Sequence, residues 1–416
     1  MAPTSTEHLG LLYRLSQTFN SSLDLGCVLN DVMDEVIAAV HAERGFLMLH
    51  EPSGELVFKV ARGLDHRTIA SPQFQISRGV VERVADEGKP RLTSDAQADS
   101  WLSGRVSVAG LGLRSVLCVP IQLKGATLGV IYVDNRLQAG IFTQADLELL
   151  SAIASTAAIA IENARLYEVA VEKGRMEREL QVAREVQSRL IPRETPKLDG
   201  WEFATLWRPA HVVGGDFFDF MPTSSGRLGV AIADVAGKGM GAALFMAVTR
   251  SILRASAMAV PGPAACIEQA NRLLCADTTR GMFVTLFYAE FASGSGKVTF
   301  VNAGHNPPIV HGAGSPDLGE LRRTGLPLGI YDTRPYREET VELAPGDTLL
   351  LYTDGITETK NKEEREWGVD SLRRLVLESR AGSAGEFVST LDEAARHFGG
   401  SAAQSDDMTV VLARRL

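Results

Sequence analysis

Four stretches in the second half of the chain set aspartates beside glycine, or beside one another, at the edge of an apolar run. They are Asp216 in GGDFFD, Asp234 in AIADVAGKG, Asp354 in LLLYTDG, and Asp406 with Asp407 in SDDMTVVL. A carboxylate next to buried strand residues is costly unless its charge is compensated. A bound cation supplies that compensation, and several carboxylates brought together would repel one another without it. With oxygen donors only, and no His or Cys nearby, the set suits hard ions such as Mn2+ or Mg2+ rather than zinc. Two such ions about 3.5–4 Å apart can share a carboxylate and a water and lower the pKa of that water. Phosphate-ester hydrolysis is the reaction this arrangement serves best, with the ions neutralising phosphoryl oxygens while hydroxide attacks in line.

Positioning these residues requires strands that end where the aspartates begin. Alternating apolar residues predict strands over 202–208, 216–221, 228–234, 282–291, 297–302, 340–343, 348–353 and 408–414. Helical spacing predicts helices over 241–258, 263–276, 371–378 and 384–398. That order suggests two antiparallel sheets packed face to face with helices outside. If strand 216–221 is regular, Asp219 points to the face opposite Asp216, which gives it a supporting role.

The first half reads as a separate unit. Leu9, Leu12, Leu15 and Phe19 fall at helical spacing, and a second amphipathic helix runs over 25–40. Strands follow over 45–50 and 56–61, a helix over 80–87, strands over 115–123 and 127–134 joined by a turn at Lys124 and Gly125, and a long helix from 143. Beyond it, Leu166, Val169, Lys173, Met176, Leu180, Ala183, Gln187 and Leu190 are spaced alternately by three and four. This is the a/d seam of a parallel coiled coil interrupted by one lysine and one glutamine, and it predicts a homodimer. The competing reading is a single helix packed on its neighbouring domain. Pro192 ends the run in either case.

At 416 residues the chain is long enough for two or three domains of roughly 150 residues each. Its net charge of −9 argues against general nucleic-acid binding, which needs a basic surface. Cys27, Cys118, Cys266 and Cys275 are scattered, as expected for free thiols in a reducing compartment. The N-terminus lacks the basic and apolar segments of a signal peptide. No stretch reads as the ~20 apolar residues of a membrane span; the nearest, 149–161, is broken by serine and threonine. The expectation is a cytoplasmic protein that engages no membrane and no nucleic acid.

Over residues 8–165, RSVLCVPI, GVIYVDN and FTQADLELLSAIASTAAIAIENARLY give the chain a pattern that resembles a GAF domain. That resemblance implies a sensory module that binds an unknown small-molecule ligand or dimerises. Of the NK…F…DE signature common in cyclic-nucleotide-binding GAF domains, Asn135, Phe142 and Asp146 match, while Arg136 and Leu147 replace the lysine and glutamate. These residues read more simply as supports of the fold, and Cys118, inside an apolar strand, as core.

Over about 180–416, the strings LQVAREVQSRLIP, GGDFFD, DVAGKGMGAALFMA, NAGHNPP, GLPLG, LYTDGITE and SDDMT follow one another in the order of the metal-dependent PP2C-type protein phosphatases, in their bacterial SpoIIE and RsbU branch. The resemblance implies a serine/threonine phosphatase with two Mn2+ or Mg2+ ions. Asp216 and Asp234 would hold or bridge them, the backbone carbonyl of Val235 would add a ligand, and Asp354 and Asp406 would complete the set. Asp407, which stands where eukaryotic relatives carry asparagine, is a further candidate metal ligand. The implied substrate is a phosphorylated STAS-domain anti-sigma-factor antagonist. One departure concerns the leaving group: Ala236 occupies the place of the histidine in the eukaryotic DGHGG string. His305, in a Gly-His-Asn-Pro turn, reads as structural, and Lys238 either contacts phosphate or caps the helix that follows.

The assignment is thus an α/β multidomain (α+β) protein. A GAF domain over 8–165 leads through a coiled-coil linker over 166–192 to an αββα sandwich over 197–416. Two other readings compete. A GGDEF-type nucleotide cyclase requires Glu after the Asp, where the chain has Phe217, and leaves the other aspartate motifs without a role. A catalytically weak signalling scaffold would be expected to have lost a ligand position, and none is missing.

Overall fold

The computed structural model describes residues 24–65, 67–69, 76–93, 114–277, 281–379 and 382–416. The helix expected around Leu9 to Phe19 lies outside them. The chain divides into two compact units, Met1–Met176 and Glu177–Leu416.

The first unit is built on one antiparallel sheet in the order β2-β1-β5-β4-β3. Its strands are β1 (Arg44–His50), β2 (Leu56–Gly63), β3 (Arg91–Thr93), β4 (Ser115–Leu123) and β5 (Ala126–Asn135). Helix α1 (Leu25–Val40) and the first part of α3 (Gln144–Leu190) cover one face, burying Val32, Ile37, Ile153 and Ile161 against Leu47 and Ile131. Helix α2 (Arg78–Glu87) covers the other, packing Val80 and Val84 on Phe46 and Tyr132. Cys118 sits in this second core, where burial pushes its thiol far up. Three-residue β3 was not anticipated, because so short a strand shows no alternation.

The residues of the cyclic-nucleotide signature do local work. Asn135 Oδ1 accepts from the backbone N–H groups of Leu137 and Gln138, Asp146 caps α3 through Thr143, and Phe142 is core.

The second unit contains two five-stranded sheets, ordered β13-β10-β9-β8-β7 and β12-β11-β14-β15-β6. The first holds β7 (Phe217–Pro222), β8 (Leu228–Val235), β9 (Val284–Phe291), β10 (Lys297–Ala303) and β13 (Glu339–Glu342). The second holds β6 (Trp201–Arg208), β11 (Ile309–His311), β12 (Leu318–Glu320), β14 (Thr348–Tyr352) and β15 (Met408–Arg415). Phe203, Leu349 and Val411 of one sheet share a core with Phe217, Phe287 and Phe291 of the other. Helices α4 (Met240–Ala259) and α5 (Pro263–Asp277) cover the first sheet. Helices α7 (Gly368–Glu378) and α8 (Ala384–Gly399) cover the second, following the single turn α6 (Asp354–Thr357). The result is the four-layer helix–sheet–sheet–helix arrangement expected from the element order. The short elements β11, β12 and α6 were not.

Helices α3 and α4 are long and apolar enough to pass as membrane spans by length and composition alone, which is weak evidence for one. Alanine supplies much of their apolar character, and each buries part of its apolar surface in a core. Ile153, Ala154 and Ala157 of α3 lie in the core of the first unit, and Ala242, Met246 and Leu253 of α4 in that of the second.

Candidate metal centre

The β7–β8 pairing places Phe217 opposite Ala233, so Asp216, one residue before β7, enters the sheet beside Asp234 on β8. Across the sandwich, β14 and β15 run side by side, with Asp354 just beyond the end of β14 and Asp406 and Asp407 just before β15. Side chains link the two sheets at this point: Thr409 Oγ1 donates to Asp216 Oδ2 at 3.0 Å. Neither Thr409 nor Thr353, which also bonds Asp216, was singled out in the sequence. Their place in strands leading to the aspartates was the available signal.

The carboxylates feel one another. Burial pushes Asp216 well above the usual carboxylate range, with the charges of Asp234 and Asp407 adding to the shift. Asp234 is raised to about 7, first by burial and then by Asp354. Asp354 is raised by burial and by Asp406. Among the described residues no three His, Cys, Asp or Glu side chains close into a ready cage for a metal ion. The aspartates meet as neighbouring pairs, an oxygen-only set whose mutual repulsion a divalent cation would relieve, so the donor chemistry fits a hard ion.

Close backbone approach explains the glycines. A Cβ on Gly214 would come within 2.4 Å of Asp407 Oδ2, one on Gly215 within 3.0 Å of the Val235 carbonyl, and one on Gly355 within 1.9 Å of the Asp407 carbonyl. Any side chain at these positions would spread the loops that carry the aspartates.

Asp406 and Asp407 are divided by geometry. Asp407 is buried, and its oxygens accept from the backbone N–H groups of Ala210 (2.7 Å), Gly215 (2.7 Å) and Asp216 (3.3 Å). It holds the turn that carries Asp216. Asp406 is half-buried, accepts from its neighbour's N–H at 2.9 Å, and pairs with Lys238 Nζ at 2.9 Å. Lys238 therefore caps no helix; it bonds Asp406 and the carbonyl of Ser405, and the bond to Asp406 raises its pKa. The helix that follows begins at Gly239 with no side-chain cap.

Asp219 lies on the other side of β7, fully buried, accepting from Arg254 at 2.7 and 2.8 Å and pairing with Arg250 Nε at 3.0 Å. Burial raises its pKa despite these partners. Asp219 is a carboxylate held by two guanidinium groups of α4. His305 is buried, bonds Thr285 Oγ1 at 2.9 Å through Nδ1, and is pushed down to about 3 by burial. It stays neutral and belongs to the turn.

Gln187 was read as a polar break in the helical seam. It is buried, with Nε2 donating to the Gly214 carbonyl at 2.6 Å and Oε1 accepting from the Gly214 N–H at 3.0 Å. A polar side chain in the apolar seam, a feature it shares with Lys173, was the available signal.

In the first unit a cavity of about 530 Å³ lies between β2 and α2, lined by Met48, Leu56, Phe58, Ile76, Arg78 and Val81.

Comparison with protein families matches residues 224–416 to Stage II sporulation protein E (SpoIIE) and residues 22–162 to the GAF domain. The chain joins a GAF domain to a SpoIIE-type domain. Among curated proteins, Protein IcfG of Synechocystis is 28% identical over 270 residues, covering 57% of this chain and 41% of IcfG. Phosphoserine phosphatase RsbU of Bacillus subtilis is 28% identical over 240 residues, covering 57% of this chain and 70% of RsbU. The GAF–SpoIIE chain thus spans less than half the length of IcfG. The SiaA-PP2C domain of Pseudomonas aeruginosa superposes with a TM-score of 0.53 at 22% identity, over 59% of this chain and 99% of that one, which establishes the PP2C fold of the SpoIIE-type domain.

Proposed function

We propose that the protein is a metal-dependent protein phosphatase that hydrolyses phosphoserine or phosphothreonine on a regulatory protein, and that its GAF domain controls it. The observation that carries this reading is the meeting of Asp216 and Asp234 at the end of one sheet with Asp354 and Asp406 at the end of the other, where burial and neighbouring carboxylates push Asp216, Asp234 and Asp354 up. RsbU, a phosphoserine phosphatase by name, supports the choice of substrate class. A STAS-domain anti-sigma-factor antagonist is the substrate we propose.

Asp216, Asp234, Asp354 and Asp406, with the Val235 carbonyl, would hold two Mn2+ or Mg2+ ions. When bound, the ions would supply a water of lowered pKa and neutralise the phosphoryl oxygens. Thr409 fixes the rotamer of Asp216 by donating to Oδ2. Asp407 keeps Asp216 in place by holding its turn. Lys238, more than half exposed beside Asp406, adds positive charge where a phosphate would approach. His305 is too deeply buried to protonate a leaving alkoxide. That proton must come from solvent or from the substrate's own surroundings.

Control would run through α3. Its exposed Leu166, Val169 and Met176 offer the seam of a homodimer, and an unknown small molecule at the GAF domain would change the pairing of the two helices.

The test is Mn2+-dependent hydrolysis of a phosphoserine peptide by the full chain, compared with Asp234→Asn and Asp406→Asn. Equal rates for all three proteins would refute the metal assignment.

A further inference from the structure

The turn that carries Asp216 is held from several directions. Asp407 takes the N–H groups of Gly215 and Asp216, Trp207 Nε1 donates to the Asp216 carbonyl at 3.0 Å, and Gln187 takes both backbone groups of Gly214. Asp407 and Trp207 belong to the sandwich or its loops. Gln187 alone among these belongs to α3, three residues before its end at Leu190.

The chemistry of this contact is restrictive. A carboxamide has a donor end and an acceptor end, and Gln187 uses both on one residue, as a neighbouring strand would. The pair forms only when the side chain meets Gly214 edge to edge. A turn of α3 about its axis by one residue, about 100°, would carry Gln187 away and leave a buried N–H and a buried C=O unpaired. Gly214 cannot yield by moving toward Asp407, since even a Cβ there would approach Oδ2 to 2.4 Å.

The seam pattern points the same way. Leu166, Val169 and Met176 are 57%, 61% and 57% exposed, while Ala183 and Leu190 are half-buried and Gln187 is 4% exposed. The same periodic stripe therefore changes character along its length. Its early positions are open to a partner, and its last ones are seated on the unit that begins at Glu177.

We propose that Gln187 is a positioning residue for the metal-binding turn: by bonding both backbone groups of Gly214 it sets Asp216 for a divalent cation and makes metal affinity depend on the rotational state of α3. The proposal rests on the metal reading of Asp216.

The experiment measures Mn2+ binding to the full chain by calorimetry, together with the Mn2+ midpoint and the peptide KM of hydrolysis, for wild type, Gln187→Leu, Gln187→Glu and Asp234→Asn. Leucine fills the space without either bond. Glutamate keeps the acceptor and sets an oxygen against the Gly214 carbonyl. Both are expected to weaken Mn2+ binding about tenfold, equivalent to about 1.4 kcal/mol, with KM for the peptide at saturating Mn2+ unchanged. A purely structural role would lower the unfolding midpoint and leave Mn2+ affinity where it was. Should Gln187→Leu fail to fold, the near-isosteric Gln187→Glu decides alone. Mn2+ affinity within twofold of wild type in the folded Gln187 variants overturns the proposal. If Asp234→Asn abolishes binding in the same series, only the role of Gln187 falls; if Asp234→Asn binds Mn2+ like wild type, the metal reading falls and this proposal with it.

Discussion

Asp406 and Asp407 are adjacent and identical in type but make different contacts, and replacing each by alanine should separate them. Asp407→Ala removes an acceptor from three backbone N–H groups. Ala210 is half-buried, so water can replace the carboxylate there; Gly215 is buried and its N–H has no such substitute. A hydrogen bond to a charged group contributes about 1.5–3 kcal/mol. Full loss at Gly215 and partial losses at Ala210 and the longer Asp216 contact come to about 4 kcal/mol, and relief of repulsion on Asp216 offsets part of that. A net loss of about 3 kcal/mol is expected. Asp407→Asn, which keeps one acceptor oxygen, should cost about half as much. Asp406→Ala breaks an exposed ion pair with Lys238, worth roughly 0–1 kcal/mol, and one contact to its neighbour's N–H. It should leave stability nearly intact while abolishing Mn2+-dependent hydrolysis. Urea unfolding with chelator present, followed by tryptophan fluorescence, reads mainly the second unit, which holds three of the four tryptophans, Trp201, Trp207 and Trp367. An Asp407→Ala loss below 1 kcal/mol, or one no larger than that of Asp406→Ala, would refute the division of roles.

Asp219→Ala leaves Arg250 and Arg254 without their carboxylate and, with Arg254 more than a third exposed, should cost about 1.5–3 kcal/mol in the same assay; a change under about 0.5 kcal/mol would mean that solvent already carries those charges. His305 has a folded-state pKa of about 3, below the 6.5 of the free side chain. The unfolded chain therefore binds the extra proton, and the stability His305 contributes is complete above pH 6.5 and lost as pH falls toward 3, by up to about 1.4 kcal/mol per pH unit. His305→Gln should flatten the stability profile in that window, and an unchanged slope counts against a neutral buried imidazole. For the dimer, replacing Val169 and Met176 by glutamate should convert the sedimenting species to monomer; a wild-type sedimentation coefficient would rule out the seam as the contact.

Much of this protein can be read from local pattern. Strands β4, β5, β8 and β15 and helices α1, α4 and α8 announce themselves by alternation or by 3.6-residue periodicity, because burial of one face imposes that period whatever covers the face. Aspartate beside glycine at a strand end likewise marks a carboxylate that burial alone would penalise, and four such places in one unit point to a shared cation. What local pattern omits is the partner. Asp219 reads as facing away from Asp216, yet its two arginines lie 31 and 35 residues further on. The short strands β3, β11 and β12 carry too few residues for a period, and they exist because a neighbouring strand offers them hydrogen bonds.

Tertiary structure alone separates the two neighbours in SDD, since the distinction depends on which of them meets the backbone of a turn some 190 positions earlier. It also moves Gln187 from a helical seam to a backbone contact on the turn that carries Asp216. A heptad position states how far a residue lies around a helix, and only the packing of that helix states what it faces.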